Sequence, residues 1–189
     1  HNDRSFVAQG LVGLSHREVE VTGLDEILIG GRWLAENELN SILLPERMAQ
    51  NLGINPQKPG GAIVSMWGMP FEVVGVFSGK KLQQRTDLDG EPLTPATFPR
   101  EVSVFVTEEE METMDSGDDV REFQSRYQHV PGDLTMIVPY RRLLAAGGHL
   151  KAVAIVPQTD ISLQKEAQNL VDRFGLSLFS GEPDGTYLY

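Results

Sequence analysis

The chain contains no cysteine. A disulfide framework, a thiolate metal site and a cysteine nucleophile are excluded by that alone. Basic residues are also scarce: 16 Lys and Arg stand against 27 Asp and Glu, a formal net charge of −11. This balance argues against a general nucleic-acid binder, which needs a basic face to displace counterions. It argues equally against adsorption to an anionic membrane surface. The plain reading of such acidity is solubility. No apolar run reaches the roughly 18 residues that mark a membrane span, and no n-region with an h-region marks a signal peptide. The first residue is His1 and not Met, so a fragment or a processed product is expected. At 189 residues, 40% of them hydrophobic, one or two small domains with a real core are within reach.

Recognisable chemistry is missing as well. His1, His16, His129 and His149 form no H-x-x-x-H or H-E-x-x-H spacing, and each reads as an ordinary surface or turn residue. Ser15-His16 has Arg17 where a nucleophile elbow requires glycine. Asp87-Leu88-Asp89-Gly90-Glu91 lacks the third ligand and the distal Glu of a calcium loop, and reads as a hairpin turn. Gly30-Gly31, Gly60-Gly61 and Gly147-Gly148 are isolated pairs, not a phosphate-binding loop. No catalytic, cofactor-binding or metal-binding residue is therefore assigned. Trp33 and Trp67 read as core anchors. Glu108–Glu110, Glu112, Asp115, Asp118 and Asp119 form an acidic run, read as a solvated helix face, with a docking face for a basic partner as the alternative.

What is present is concentrated between Asn40 and Phe77. An apolar strand (42–44) meets Pro45, which suits the first turn of a helix. Met48, Ala49 and Leu52 recur at helical spacing and Gly53 caps them. Strands over 62–66 and 71–77 follow, joined by a turn at Gly68–Pro70. The unit is strand, short helix, turn, hairpin, and none of its polar residues is placed like a catalytic group.

Elsewhere, 6–13 and 17–22 are candidate strands, the second because Val19 and Val21 alternate with Glu18 and Glu20. Gly30-Gly31 breaks the stretch 24–34, and 34–39 reads as a short acidic turn. Residues 78–100, rich in Gly, Pro, Asp and Lys, read as a long loop with Asp89-Gly90 as a tight turn. A strand over 102–106, an acidic helix capped by Thr107 and a second short helix over 120–127 are expected next. A strand over 135–138 leads into a helix over 140–146 that stops at Gly147-Gly148. The last third predicts a strand (151–157), an amphipathic helix (161–174) capped by Asp160 and Gly175, and a strand (176–179), a βαβ unit or a split version of it.

The segment Asn40–Ile54 followed by Gly68–Phe77 resembles the extracytoplasmic core domain of ABC-transporter permeases of the MacB/FtsX-like superfamily. Val21–Trp33 resembles the family's lead-in, Asp87–Pro95 a loop of its longer members, and Ile137–Leu144 its strand-to-helix step near the end. The pieces occur in the family's order over about residues 21–189. The resemblance implies an α+β fold: a porter-like, βαβ-containing subdomain (1–35 and 131–189) with a smaller β-rich subdomain (36–130) inserted, and membrane helices beyond both ends. It implies a non-enzymatic role without a cofactor, relaying ATP-driven motion to cargo or partner proteins outside the membrane. The implied partners are a cytoplasmic ABC ATPase reached through the membrane part, a second permease chain, and a periplasmic adaptor or cargo, with no nucleic acid. The implied location is the inner membrane, with this domain in the periplasm or extracellular space. The isolated fragment is expected to be monomeric, since the family's dimer contacts rest largely on the membrane part. A soluble α/β hydrolase or small-molecule-binding protein is the alternative; it would need a pocket with convergent polar groups.

Overall fold

The computed structural model describes residues 4–86, 90–97, 128–150, 152–153, 169 and 172–173. The fold is mixed α+β. Among the described residues its centre is a sheet of six strands: β1 (Gly10–Leu14), β2 (Leu28–Gly31), β3 (Ser41–Pro45), β4 (Ile63–Met66), β5 (Met69–Phe77) and β8 (Thr135–Pro139). The strand order is β1-β8-β3-β5-β2, with β4 beside the first half of β5. β1 runs parallel to β8 and β3 parallel to β5, while β3–β8, β2–β5 and β4–β5 are antiparallel. A two-stranded sheet of β6 (Ala96–Thr97) and β7 (Gln128–His129) stands apart from it.

The central strands are buried on both faces, which is why 42–44 reads as one apolar run rather than an alternation. Leu43 faces one core with Leu24, Ile27, Val74, Phe77, Leu82 and Ile137. Ile42 and Leu44 face the other with Met48, Ala49, Phe71, Val73, Val76 and Val138. A bulge makes this division possible. Ile42 pairs with Val73 but Leu43 pairs with Gly75, so Val74 is an extra residue, and the alternation of β5 is reset between its two halves. Burying side chains of this size contributes on the order of 1.5–3 kcal/mol each.

Helical segments cover both faces. α2 (Glu46–Leu52) puts Met48 and Ala49 on the second core, and α4 (Tyr140–Ala145) adds Leu143 there. The 3-10 turn η1 (Leu24–Ile27) and α3 (Gly79–Gln83) supply Leu24, Ile27 and Leu82 to the first. Gly53 ends α2 at φ 77°, and its N–H returns to the carbonyls of Ala49 and Gln50. Pro45 closes β3 in an extended conformation and stands at the N-cap, one position before the expected first turn.

Three expectations are corrected. Residues 17–22 form a helix, α1 (Glu18–Thr22), and not a strand. A five-residue alternation of Val and Glu also fits one helical turn. Here Arg17 bonds Glu20 three residues on, the Thr22 hydroxyl donates to the Glu18 carbonyl, and Gly23 caps the end at φ 62°. The strand expected over 6–13 begins at Gly10, because its parallel partner begins at Thr135; Phe6 and Ala8 pack on the second core instead. The long loop expected from residue 78 opens with α3, whose N-cap Ser78 accepts a hydrogen bond from the Lys81 N–H at 3.4 Å.

Strands on both sides of the expected 35/36 boundary share the central sheet. The expected elements over 102–127, the strands over 151–157 and 176–179, and the start of the helix over 161–174 lie outside the described residues. Within that helix Asn169, Asp172 and Arg173 are helical and exposed.

Candidate functional site

Among the described residues the β4–β5 hairpin exposes two large apolar side chains, Ile63 and Trp67. Its two-residue turn, Trp67-Gly68, has φ of 54° and 74°, the two left-handed positions of a type I′ turn. Glycine fits there at no cost; tryptophan does not. Trp67 is nevertheless 59% exposed, so the core-anchor reading is corrected for it. Ile63, four residues before Trp67 at the far end of β4, is 70% exposed, and Ser65 lies between them. The opposite face of the hairpin, with Val64, Met66, Met69 and Phe71, packs on the second core. There Arg142 of α4 stacks over the Phe71 ring, 5.6 Å from its centroid, and donates to the Met69 sulfur at 3.1 Å. The hairpin is thus fixed from below and open above.

Trp33 behaves as expected. It packs on the first core, and its Nε1–H donates to the Ser15 carbonyl oxygen at 3.3 Å. Ser15 itself sits in the turn between β1 and α1, where its Oγ accepts from the Arg17 N–H at 3.2 Å.

The histidines separate. His16 lies in the same turn, and His149 is exposed beyond the end of α4. His129 is drawn into a contact that sequence reading missed. Its Nδ1 lies 2.7 Å from the Thr94 carbonyl oxygen and its Nε2 lies 2.9 Å from Glu91 Oε2. Both neighbours accept hydrogen bonds, so an imidazolium donates to both and a neutral ring to one. Glu91 is therefore more than a turn residue: it ties the segment before β6 to β7. Of the acidic loop, Asp87–Asp89 lie outside the described residues, as does the acidic run over 108–119.

Two further ion pairs fasten loops to the body. Arg85 reaches from beyond α3 to the Glu26 carboxylate and the Thr22 carbonyl. Arg32 grips Glu38 through two nitrogens, and Glu38 also accepts from the Ala35 N–H at 3.2 Å. The Arg32 guanidinium, aided by that N–H and opposed by partial burial, holds the Glu38 carboxyl below the usual carboxylate range.

The glycine pair 30–31 has a packing role. A Cβ on Gly30 would overlap the main chain at Pro56 and Gln57, which crosses over β2. Among the described residues no group of three or more His, Asp or Glu is arranged to hold a metal ion, and no helix is long and apolar enough to cross a membrane. No family model, no curated protein and no solved structure matches the chain.

Proposed function

We propose that this chain is the extracytoplasmic module of an ABC-transporter permease similar to the MacB/FtsX-like group. In this reading it relays ATP-driven motion of membrane helices to cargo or partner proteins and performs no chemistry itself. The observation that carries it is the unit from β3 to β5. The segments that bear the resemblance, 40–54 and 68–77, supply β3, α2 and β5, and β3 and β5 lie side by side inside the sheet. A module that transmits motion needs a stiff body, and two cores pinned on one sheet supply stiffness.

The division of the chain shifts in this reading. β3 and β5 share a sheet with β1, β2 and β8, so the porter-like body takes them in. The inserted lobe becomes the chain between Gln84 and Val130, where β6 and β7 pair in a sheet of their own. A cytoplasmic ATPase, a second permease chain and an adaptor or cargo are the partners, with the membrane as the site of assembly.

Reading the gene outward from both ends tests this. Apolar helices of about 20 residues ahead of His1 and after Tyr189 are expected. A signal peptide directly ahead of His1 with a stop codon just past Tyr189 would overturn the reading and leave a free-standing binding protein.

A further inference from the structure

β4 is, among the described residues, an edge strand. Among the described residues it pairs only with β5. The direction of its free groups follows from two bonds: the Val73 N–H donates to the Ala62 carbonyl, and the Glu72 N–H donates away from β4 to the Asn40 carbonyl. Ile63–Glu72 is therefore a non-hydrogen-bonded pair of the antiparallel ladder, and so is Ser65–Pro70 two residues on. Pro70, with no N–H to give, fits only such a position. The N–H and C=O groups of Ile63 and Ser65 thus point outward, away from β5.

Three properties of this edge identify what it takes. First, the outward main-chain groups call for a strand. A lipid interior offers them no partner. Second, the hairpin carries no charge from Pro59 to Phe71, although the chain as a whole carries −11. Repulsion between two acidic copies is reduced along such a segment, where the Glu72 opposite Ile63 is the first carboxylate. Third, the edge is complementary to itself. Ile63 and Ser65 share a face of the strand, and an antiparallel self-pairing centred on Ser65 sets Ser65 against its copy and brings Ile63 level with the copy's Trp67, the first turn residue past β4. Ile63 thereby meets the exposed indole at the copy's hairpin turn, an apolar contact just past the end of β4. The exposures of Ile63 (70%) and Trp67 (59%) leave both side chains available for it.

We propose that β4 is a self-pairing edge: a second copy of this chain adds its own β4 antiparallel across a two-fold axis at Ser65, joining the two central sheets. The contact is isologous and closes at two copies. It involves one short strand a side, below the size of a standard interface, so association is weak and rises with concentration. This departs from the monomer expected of the isolated chain, and it does not depend on the permease reading.

The absence of cysteine makes a clean test. Directly opposed residues in a hydrogen-bonded antiparallel pair stand about 5.5 Å apart at Cα, within disulfide reach. The full 189-residue Ser65→Cys chain is expected to oxidise to a covalent dimer faster than Val7→Cys, an exposed control away from the edge, and faster than Ile63→Cys, whose opposite is Trp67. Sedimentation of the unmodified chain is expected to show a monomer–dimer equilibrium. Ser65→Lys, which sets two ammonium groups on the axis, is expected to abolish it while leaving the circular dichroism unchanged. The proposal is overturned if the chain sediments as a monomer throughout and Ser65→Cys cross-links no faster than Val7→Cys. A dimer that survives Ser65→Lys, or an unrelated extended peptide that binds the edge in place of a second copy, overturns it as well.

Discussion

Gly79 and Gly132 stand back to back. A Cβ on Gly132 would overlap the Gly79 carbonyl, and one on Gly79 would overlap Asp133 and the Gly132 main chain. The contact seats the start of α3 on η2 (Gly132–Leu134), the turn that feeds β8.

Gly132→Ala is therefore expected to cost about 1–3 kcal/mol, the usual penalty of forcing volume into a packed site. Urea denaturation followed by circular dichroism measures it. Gly60→Ala serves as the control, since a Cβ there meets nothing within 4 Å; it is expected to shift stability by less than about 0.5 kcal/mol. Equal losses in both variants would show that the Gly79–Gly132 contact is not what matters.

Trp67→Asn is expected to stabilise the dilute chain by about 1 kcal/mol. Asparagine tolerates the left-handed region far better than tryptophan, and Asn-Gly is the preferred type I′ pair. Thermal unfolding at low concentration reads this effect without self-association. A lower midpoint would mean that the indole holds the hairpin together from its exposed position.

The pairing of Arg32 with Glu38 carries a pH signature. The native Glu38 carboxyl ionises below the unfolded value of about 4.3, so the native state is favoured when that carboxyl is charged. The contribution is complete above the unfolded value and fades as pH falls through the native one. Stability curves of the parent chain and Glu38→Gln are expected to differ at neutral pH and to converge on acidification. Parallel curves would remove Glu38 from the account.

The segment Asn40–Phe77 was legible because its signals are local. Pro45, Gly53 and Gly68 punctuate it, and the helical spacing of Met48, Ala49 and Leu52 needs no distant partner. The sequence hid what depends on neighbours. Val19 and Val21 alternate with glutamates, a pattern that fits a strand as well as the single helical turn that Gly23 closes. The extra residue Val74 is invisible without its partner strand, because only pairing with β3 makes it a bulge. Trp67 reads as a core residue by type, and only its place at a hairpin tip turns it outward. His129 and Glu91 belong to separate loops, and no spacing rule links them.

The pairing of β1 with β8 joins Gly10 to Thr135, and it has a consequence for how the chain is made. The first strand leaves the ribosome long before the only described strand it pairs with. Until Pro139 has emerged, β1 has no place in the sheet, and the edge of β3 that faces β8 lies bare. Such distant pairing slows folding and leaves apolar strands uncovered in the meantime. The step that completes this sheet is then the arrival of its last described strand.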